Sequence, residues 1–521
     1  MSAVLAPILL PLAAAALGLL TRRSRASQLA LGFAALLGAL LASVLLLLGQ
    51  LNGQPPAVFQ LGGYAAPMGI SLVADPLSLL FVITCLFVLV FGLLYIAGAR
   101  DKCVRYPAFI PLFLTLSASL CGGILTGDLF NFFVFAELLV ISAAVLTALA
   151  DDKNGVEAAW KYFYISTLAA LMLLGAAALF YAAYGTLNLA DLARRIADDP
   201  DHLLLRPAAA LLLCAMFVKA AIVPFHYWQP DFHTVAPTAV SAMLSGIVVK
   251  LGVYGLLRFQ NTLFLPLGDL INPLLLLAGF AGILIGGLGA TGTHNLKRVL
   301  AYSTLAQIGV ILVAASFNTF GGLIAALVFA VSHAMLKAAM LMLAGIVASR
   351  APIKSASFDV VTGVGRAMPL VGLLFIVGAM GLVGMPPVSG FVAKFLAVYA
   401  ASGHPTSAVL LVTLLCLASA LTLLYTFRSY ARVWWDPLPE GKDPKKYGDA
   451  PYAPAALLLT CLAIGLYPAP LTAVAEHTAA YVREPDRYLR AVLVDARQPG
   501  GEPLAHHPDP TGPARHHGAR P

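Results

Sequence analysis

About 14 apolar runs, most of them near the length of a membrane-crossing helix, limit what this chain can fold into. A bilayer core of about 30 Å takes roughly 20 apolar helical residues, and inside it every backbone N–H and C=O must be satisfied within the structure. The runs fall at 3–20, 28–50, 76–98, 106–125, 129–149, 162–184, 207–225, 238–257, 272–291, 299–316, 320–347, 367–400, 407–427 and 453–474. Of the 521 residues 60% are hydrophobic and 11% charged, against roughly 25% charged in soluble domains. That excludes a soluble globular enzyme. The run at 3–20 leads through Arg22, Arg23 and Arg25 into a second apolar run, so it reads as a first span rather than a cleaved leader.

Loops after odd-numbered runs carry eighteen Lys and Arg residues, whereas those after even-numbered runs carry only Arg194, Arg195, Arg206 and Arg258. Basic residues collect in cytoplasmic loops. The odd loops are therefore expected to be cytoplasmic, with both termini on the non-cytoplasmic side of the cell (inner) membrane. The net charge of +8 then marks orientation in a lipid bilayer, and no nucleic-acid partner is expected. Six scattered cysteines lack C-x-x-C spacing, and no Gly-rich phosphate loop follows a strand pattern, so neither metal nor cofactor is expected on this chain.

Two runs break the helical pattern. Pro224 follows Lys219 in the seventh, and Gly384, Pro386, Pro387 and Gly390 precede Lys394 in the twelfth. Proline removes a backbone donor and clashes with the preceding turn, so both helices should be discontinuous. The breaks lie five runs apart with their proline–lysine order reversed, and an odd offset inverts topology. The expected fold is an all-α polytopic membrane protein of about 14 transmembrane helices, with two inverted five-helix repeats and discontinuous helices 7 and 12. The expected division is 1–105 (helices 1–3), 106–258 (first repeat), 259–430 (second repeat), 431–483 (cytoplasmic loop and helix 14) and 484–521, a disordered tail carrying His506, His507, His516 and His517. The stretch 187–199, LNLADLARRIADD, reads as a short interfacial helix on the outer side.

An ionisable group at the bilayer centre costs about 2.5–3.5 kcal/mol on insertion scales, so such groups are paired, hydrated or functional. Six lie within the runs: Glu137, Lys219, Lys250, His333, Lys337 and Lys394. One acid, four lysines and a histidine suit proton movement better than metal ligation, which favours carboxylates, thiolates or clustered imidazoles. His333 and Lys337, at i and i+4, share a helix face and can form one wall of a relay. Glu137 and Lys219 either glue two helices or switch one another's charge. His226, Asp231 and His233, around the seventh-run break, either line a cytoplasmic proton entry or cap a loop.

At these residues the chain resembles the antiporter-like proton-translocating subunits shared by Mrp-type sodium/proton antiporters, respiratory complex I and membrane-bound hydrogenases. The resemblance covers roughly residues 70–430, through ADPLSLLF (74–81), GDLFNFFVFAEL (127–138), the stretch 217–258, NLKRVLAYSTLAQIG (295–309), SHAMLKAAMLML (332–343) and GMPPVSGFVAKF (384–395). It implies a coupling pair at Glu137 and Lys219 and a hydrated polar axis through Lys250, His333, Lys337 and Lys394. It also implies sister membrane subunits as partners, with protons and sodium as the ions moved. Chain length and Lys394 favour the D-type Mrp branch, whereas the stretch around His226, Asp231 and His233 is similar to hydrogenase and complex I forms.

Overall fold

The computed structural model describes residues 2–150, 153–403, 408–440 and 443–494. Among these, ten helices are long and apolar enough to cross a membrane, or eleven if the pair Tyr452–Leu466 and Ala469–Val482, bent by 79°, is one span. The expected runs outside these ten fall on shorter or broken apolar helices: Phe109–Leu125, Leu205–Lys219, Pro369–Val383 with Ser389–Ser402, and the bent pair. A small antiparallel hairpin, absent from the all-helical expectation, pairs Ala57–Gln60 with Ser71–Ala74 in register Ala57↔Ala74.

Which helices face lipid follows from packing. Thr238–Gln260 is enclosed by protein along its whole apolar window and Phe320–Arg350 along 94% of it, whereas Arg25–Leu51 and Ala408–Trp435 are buried over only a third. Leu41, Leu45 and Leu48 accordingly point outward from Arg25–Leu51. A helix without a lipid face can carry ammonium groups, because neighbouring backbone and side chains replace the water lost. The enclosed helices are the ones that hold Lys250, His333 and Lys337.

Association between apolar helices depends on close approach rather than on the hydrophobic effect. Helices Gly268–Gly292 and Leu296–Ser316 meet along small residues: a Cβ added at Gly309 would lie 2.6 Å from the Gly279 carbonyl oxygen, and one at Gly286 would lie 2.5 Å from the Ala306 nitrogen. This contact seats Ser303, Thr304 and Gln307 on the inner face of Leu296–Ser316.

Both expected breaks are present. Leu205–Lys219 stops at Lys219, and the helix resumes at Trp228–Val235. Between them Ala221 holds φ +54°, a left-handed conformation uncommon for a side chain with Cβ. Pro369–Val383 stops at Gly384, whose φ of +87° and N–H donated to the Met380 carbonyl form a left-handed helix end, and Ser389–Ser402 follows. Gly384 has a second duty: a Cβ there would come within 2.6 Å of the Lys394 side chain.

One backbone clasp occurs twice. Leu129 N–H donates to Leu187 C=O and Leu189 N–H to Gly127 C=O; farther along, Leu296 N–H donates to Ala356 C=O and Phe358 N–H to His294 C=O. Asp128 N-caps Leu129–Ala148, as Asn295 N-caps Leu296–Ser316.

Two expectations need correction. The sequence predicts a disordered tail from residue 484, yet Pro485–Val494 is helical; it buries Tyr488 and Val492 and packs against Leu189–Asp198. An amphipathic segment becomes ordered once its apolar face has a partner surface. Residues 495–521, with the four tail histidines, lie outside the described residues. Arg258 and Lys297, which fall just outside the apolar runs 238–257 and 299–316, are both buried in helices; their heads are held by Asp75 and by the Ala236 carbonyl.

At the surface, Asp101 pairs with Lys354 across two loops. Burial pushes the Asp101 carboxyl up, but the Lys354 ammonium and Cys103 outweigh it, leaving its pKa below the ordinary carboxylate value. A depressed carboxylate stabilises the fold above its unfolded pKa, and that contribution disappears as pH falls through the folded value. Thermal melting of the purified protein from about pH 6 down to about pH 3, a window that brackets ordinary carboxylate titration, should show this loss. Lys354→Ala should flatten the slope without altering the value at the acid end.

Candidate functional site

The six ionisable residues of the apolar runs lie on five helices in the interior, on either side of the helix breaks. Glu137, on Leu129–Ala148, and Lys219, at the end of the first half-helix, approach to 3.4 Å; Lys219 Nζ is also 3.4 Å from the Ser166 carbonyl. Glu137 is the more accessible, with its side chain 22% exposed against 7% for Lys219. At that separation the attraction is roughly 5 kcal/mol for an effective dielectric of about 20. Removing either charge therefore leaves the other without its compensating partner.

Lys250 follows a π-helical turn at Leu244–Val248 that interrupts Thr238–Gln260. Such insertions re-aim the residues after them and cluster at functional sites. Lys250 Nζ lies 2.7 Å from His333 Nδ1 on Phe320–Arg350, and both residues are about 1% exposed. His333 Nε2 has no partner among the described residues. When Lys250 donates, His333 accepts at Nδ1 and holds its own proton on Nε2, so a proton gained at one ring nitrogen releases one at the other.

Lys337 does not pair with His333, despite the i,i+4 spacing. Its ammonium donates to the Leu300 carbonyl at 3.0 Å, and His333 instead reaches across to Lys250. Beyond Lys337 the same helix as Leu300 presents Ser303 and Gln307. Ser303 Oγ and Tyr425 OH are 2.6 Å apart, Tyr425 OH reaches Thr422 Oγ1 at 3.2 Å, and Gln307 Nε2 donates to Thr422 Oγ1 and the Leu382 carbonyl, each at 3.3 Å. Lys394 Nζ ends the series, donating to Val383 C=O and Ser419 Oγ at 3.0 Å each. Val383 is the last residue of its half-helix, so the ammonium sits at the negative end of a helix dipole. Lys394, Cys416 and Ser419 border a cavity of about 290 Å³.

The seventh-run trio separates. Asp231 is exposed and pairs with Arg298 at 2.9 Å. His233 is buried with Nδ1 2.8 Å from Ser241 Oγ, and its Nε2, like His226 Nδ1, has no partner among the described residues. Asp231 also borders a cavity of about 350 Å³ beside Glu157, Lys161, Tyr227 and Trp228.

A family model described as "NADH:quinone oxidoreductase/Mrp antiporter, TM" matches residues 126–422, more than half the chain. The protein belongs to the NADH:quinone oxidoreductase/Mrp antiporter membrane family. The D-type subunit of a Na(+)/H(+) antiporter from Bacillus subtilis is 28% identical over 497 residues, covering 94% of this chain and 99% of the relative. In a structure of the Mrp complex from Dietzia sp., one chain superposes with a TM-score of 0.84 at 27% identity, covering 95% of this chain and 100% of that one. A chain of an archaeal membrane-bound sulfane sulfur reductase gives 0.83 at 28% identity, covering 94% and 99%.

Within this NADH:quinone oxidoreductase/Mrp member, the intermediate polar groups escape a reading of the sequence. Ser303, Gln307, Ser419, Thr422 and Tyr425 are uncharged and common in membrane helices, so none raises an insertion cost that singles it out. Their spacing is the available signal: 303 and 307, and 419, 422 and 425, fall on one helix face each. Arg258 escapes for a different reason. Its guanidinium meets Asp75, 183 positions away, at 2.7 Å and lies over the rings of Tyr254 and Tyr488; no local pattern encodes such distant partners.

Proposed function

We propose that this family member is the D-type proton-translocating subunit of a multisubunit sodium (or other monovalent cation)/proton antiporter. The observation that carries the reading is the buried series from Glu137–Lys219 through Lys250–His333 and Lys337 to Lys394. It is flanked by a cavity at Asp231 and another at Lys394, and its members are held by neighbouring backbone and hydroxyl groups. The relatives' names supply the transported ion. Protons enter beside Trp228–Val235, pass Lys219, Lys250, His333 and Lys337, and leave at Lys394; Glu137 sets when Lys219 releases its proton.

Fourteen crossings, odd loops in the cytoplasm and both termini outside complete the proposed topology. The twofold clasp, pairing 127 and 129 with 187 and 189, then 294 and 296 with 356 and 358, supports inverted repeats. In everted vesicles Glu137→Gln and Lys219→Ala should each lower cation-dependent proton flux at least about tenfold while the complex still assembles, as expected for loss of a proton-transfer group. Unchanged flux in either variant overturns the relay.

The likeness to the sulfane sulfur reductase chain favours a second reading, in which the same relay is the pump arm of a redox complex. Mass spectrometry of the complex purified through this chain decides between them: cluster- or flavin-bearing partners support the second, and only small hydrophobic partners the first.

A further inference from the structure

The buried series is interrupted between His333 and Lys337. His333 Nδ1 meets Lys250, whereas the Lys337 ammonium donates to the Leu300 carbonyl at 3.0 Å. Close approach of Thr238–Gln260 to Phe320–Arg350 fixes these directions: a Cβ added at Gly246 would lie 3.0 Å from the Ala334 carbonyl oxygen and 3.3 Å from Ala338 Cβ. Lys250, one turn after Gly246, reaches His333. Ser245, just before Gly246, reaches helix Leu296–Ser316 instead.

There Ser245 Oγ and Thr304 Oγ1 are 2.6 Å apart, and Thr304 Oγ1 donates to Leu300 C=O at 3.0 Å. Both hydroxyl residues are fully buried. A carbonyl oxygen has two lone pairs, and that of Leu300 accepts from both Thr304 and Lys337. The hydroxyl pair therefore ends beside the Lys337 ammonium.

Helix packing alone does not call for this pair. Buried hydroxyls elsewhere in the protein are satisfied by the carbonyl four residues earlier, as Ser43 is by Ala39 and Thr147 by Ala143, yet Ser245 crosses to another helix. With the Thr304 proton on Leu300, Ser245 donates to Thr304 and its own oxygen is left to accept. Lys250 is the donor at hand. The π-helical turn Leu244–Val248 has the i→i+5 repeat that relates Ser245 to Lys250, and helical side chains lean toward the N-terminus of their helix, here from Lys250 toward Ser245.

We propose, on the relay reading above, that Ser245 and Thr304 carry the proton from the Lys250–His333 pair to Lys337. The proton shared across that pair leaves through Lys250 Nζ to Ser245 Oγ, as Ser245 gives its own proton to Thr304 and Thr304 its own to a neutral Lys337. One proton leaves the pair, one reaches Lys337, and each hydroxyl ends neutral. Rotation of the two hydroxyls restores the starting arrangement.

The test measures cation-dependent proton flux in everted vesicles holding the intact complex. Thr304→Val keeps the side-chain shape and should lower flux at least about tenfold while the complex still assembles, whereas Thr304→Ser, which retains a hydroxyl, should stay within about twofold of wild type. Ser245→Ala should match Thr304→Val, and the double variant should be no worse than either, because both groups serve one step in series. Thr304→Ser as inactive as Thr304→Val overturns the proposal in favour of a packing role. Wild-type flux in Thr304→Val, with His333→Gln impaired, overturns the link and leaves the relay standing; wild-type flux in both overturns the two together. Ser241 lies one turn before Ser245, with its Oγ 2.8 Å from His233 Nδ1. A loss in Ser241→Ala as large as that in Thr304→Val therefore overturns the proposal in favour of loading from His233.

Discussion

His333→Gln should lower cation-dependent proton flux about a hundredfold while leaving the amount of assembled protein unchanged, a loss typical of removing a group that accepts and donates a proton. Glutamine offers Lys250 an amide oxygen in place of Nδ1, so the 2.7 Å contact between Phe320–Arg350 and Thr238–Gln260 has a substitute, but an amide cannot change protonation state near neutrality. Lys250→Ala should lower flux by a similar factor. The double variant should be little worse than either single one, because groups acting in series on one path are strongly non-additive. If His333→Gln retains more than half the flux, the pair is helix glue and the proton takes another route.

Arg258→Met should destabilise the protein by about 3–5 kcal/mol, because it strands a buried carboxylate. Asp75 is fully buried and its Oδ1 meets Arg258 Nη2 at 2.7 Å; that same oxygen caps helix Pro76–Gly98 through Ser78 N–H at 2.8 Å. Pairing Arg258→Met with Asp75→Asn should recover most of the loss, since asparagine still caps the helix and no charge remains to be buried. Thermal melting in mild detergent distinguishes the cases. Equal melting temperatures for the single and double variants would show that the ion pair contributes nothing beyond packing. The ion pair joins the end of the Lys250 helix to the start of Pro76–Gly98, so its loss should also disturb relay geometry and lower flux in the single variant.

What could be read from the sequence follows from how locally each property is encoded. The cost of placing a residue in hydrocarbon is set by the segment around it, so the apolar runs, the breaks at Pro224 and at Gly384–Gly390, and the six intramembrane ionisable residues were all legible. The small hairpin Ala57–Gln60 with Ser71–Ala74 was not, because its strands are four residues long and lie among turn residues between the second and third apolar runs. The order of Pro485–Val494 was not either: its composition is that of a solvated tail, and only contact with Leu189–Asp198 gives its apolar face a place.

By itself, then, the sequence determined that this chain is a membrane protein, where its helices break and which ionisable residues lie within its apolar segments. Only the tertiary structure decided the partners. Lys250 meets His333, 83 positions away. Lys337 turns from His333 to the Leu300 carbonyl, and Lys394 settles on the open end of a half-helix through the space left by Gly384. A side chain's direction around its helix depends on the rotation at which neighbouring helices pack, and close contacts such as Gly309 on Gly279 set that rotation.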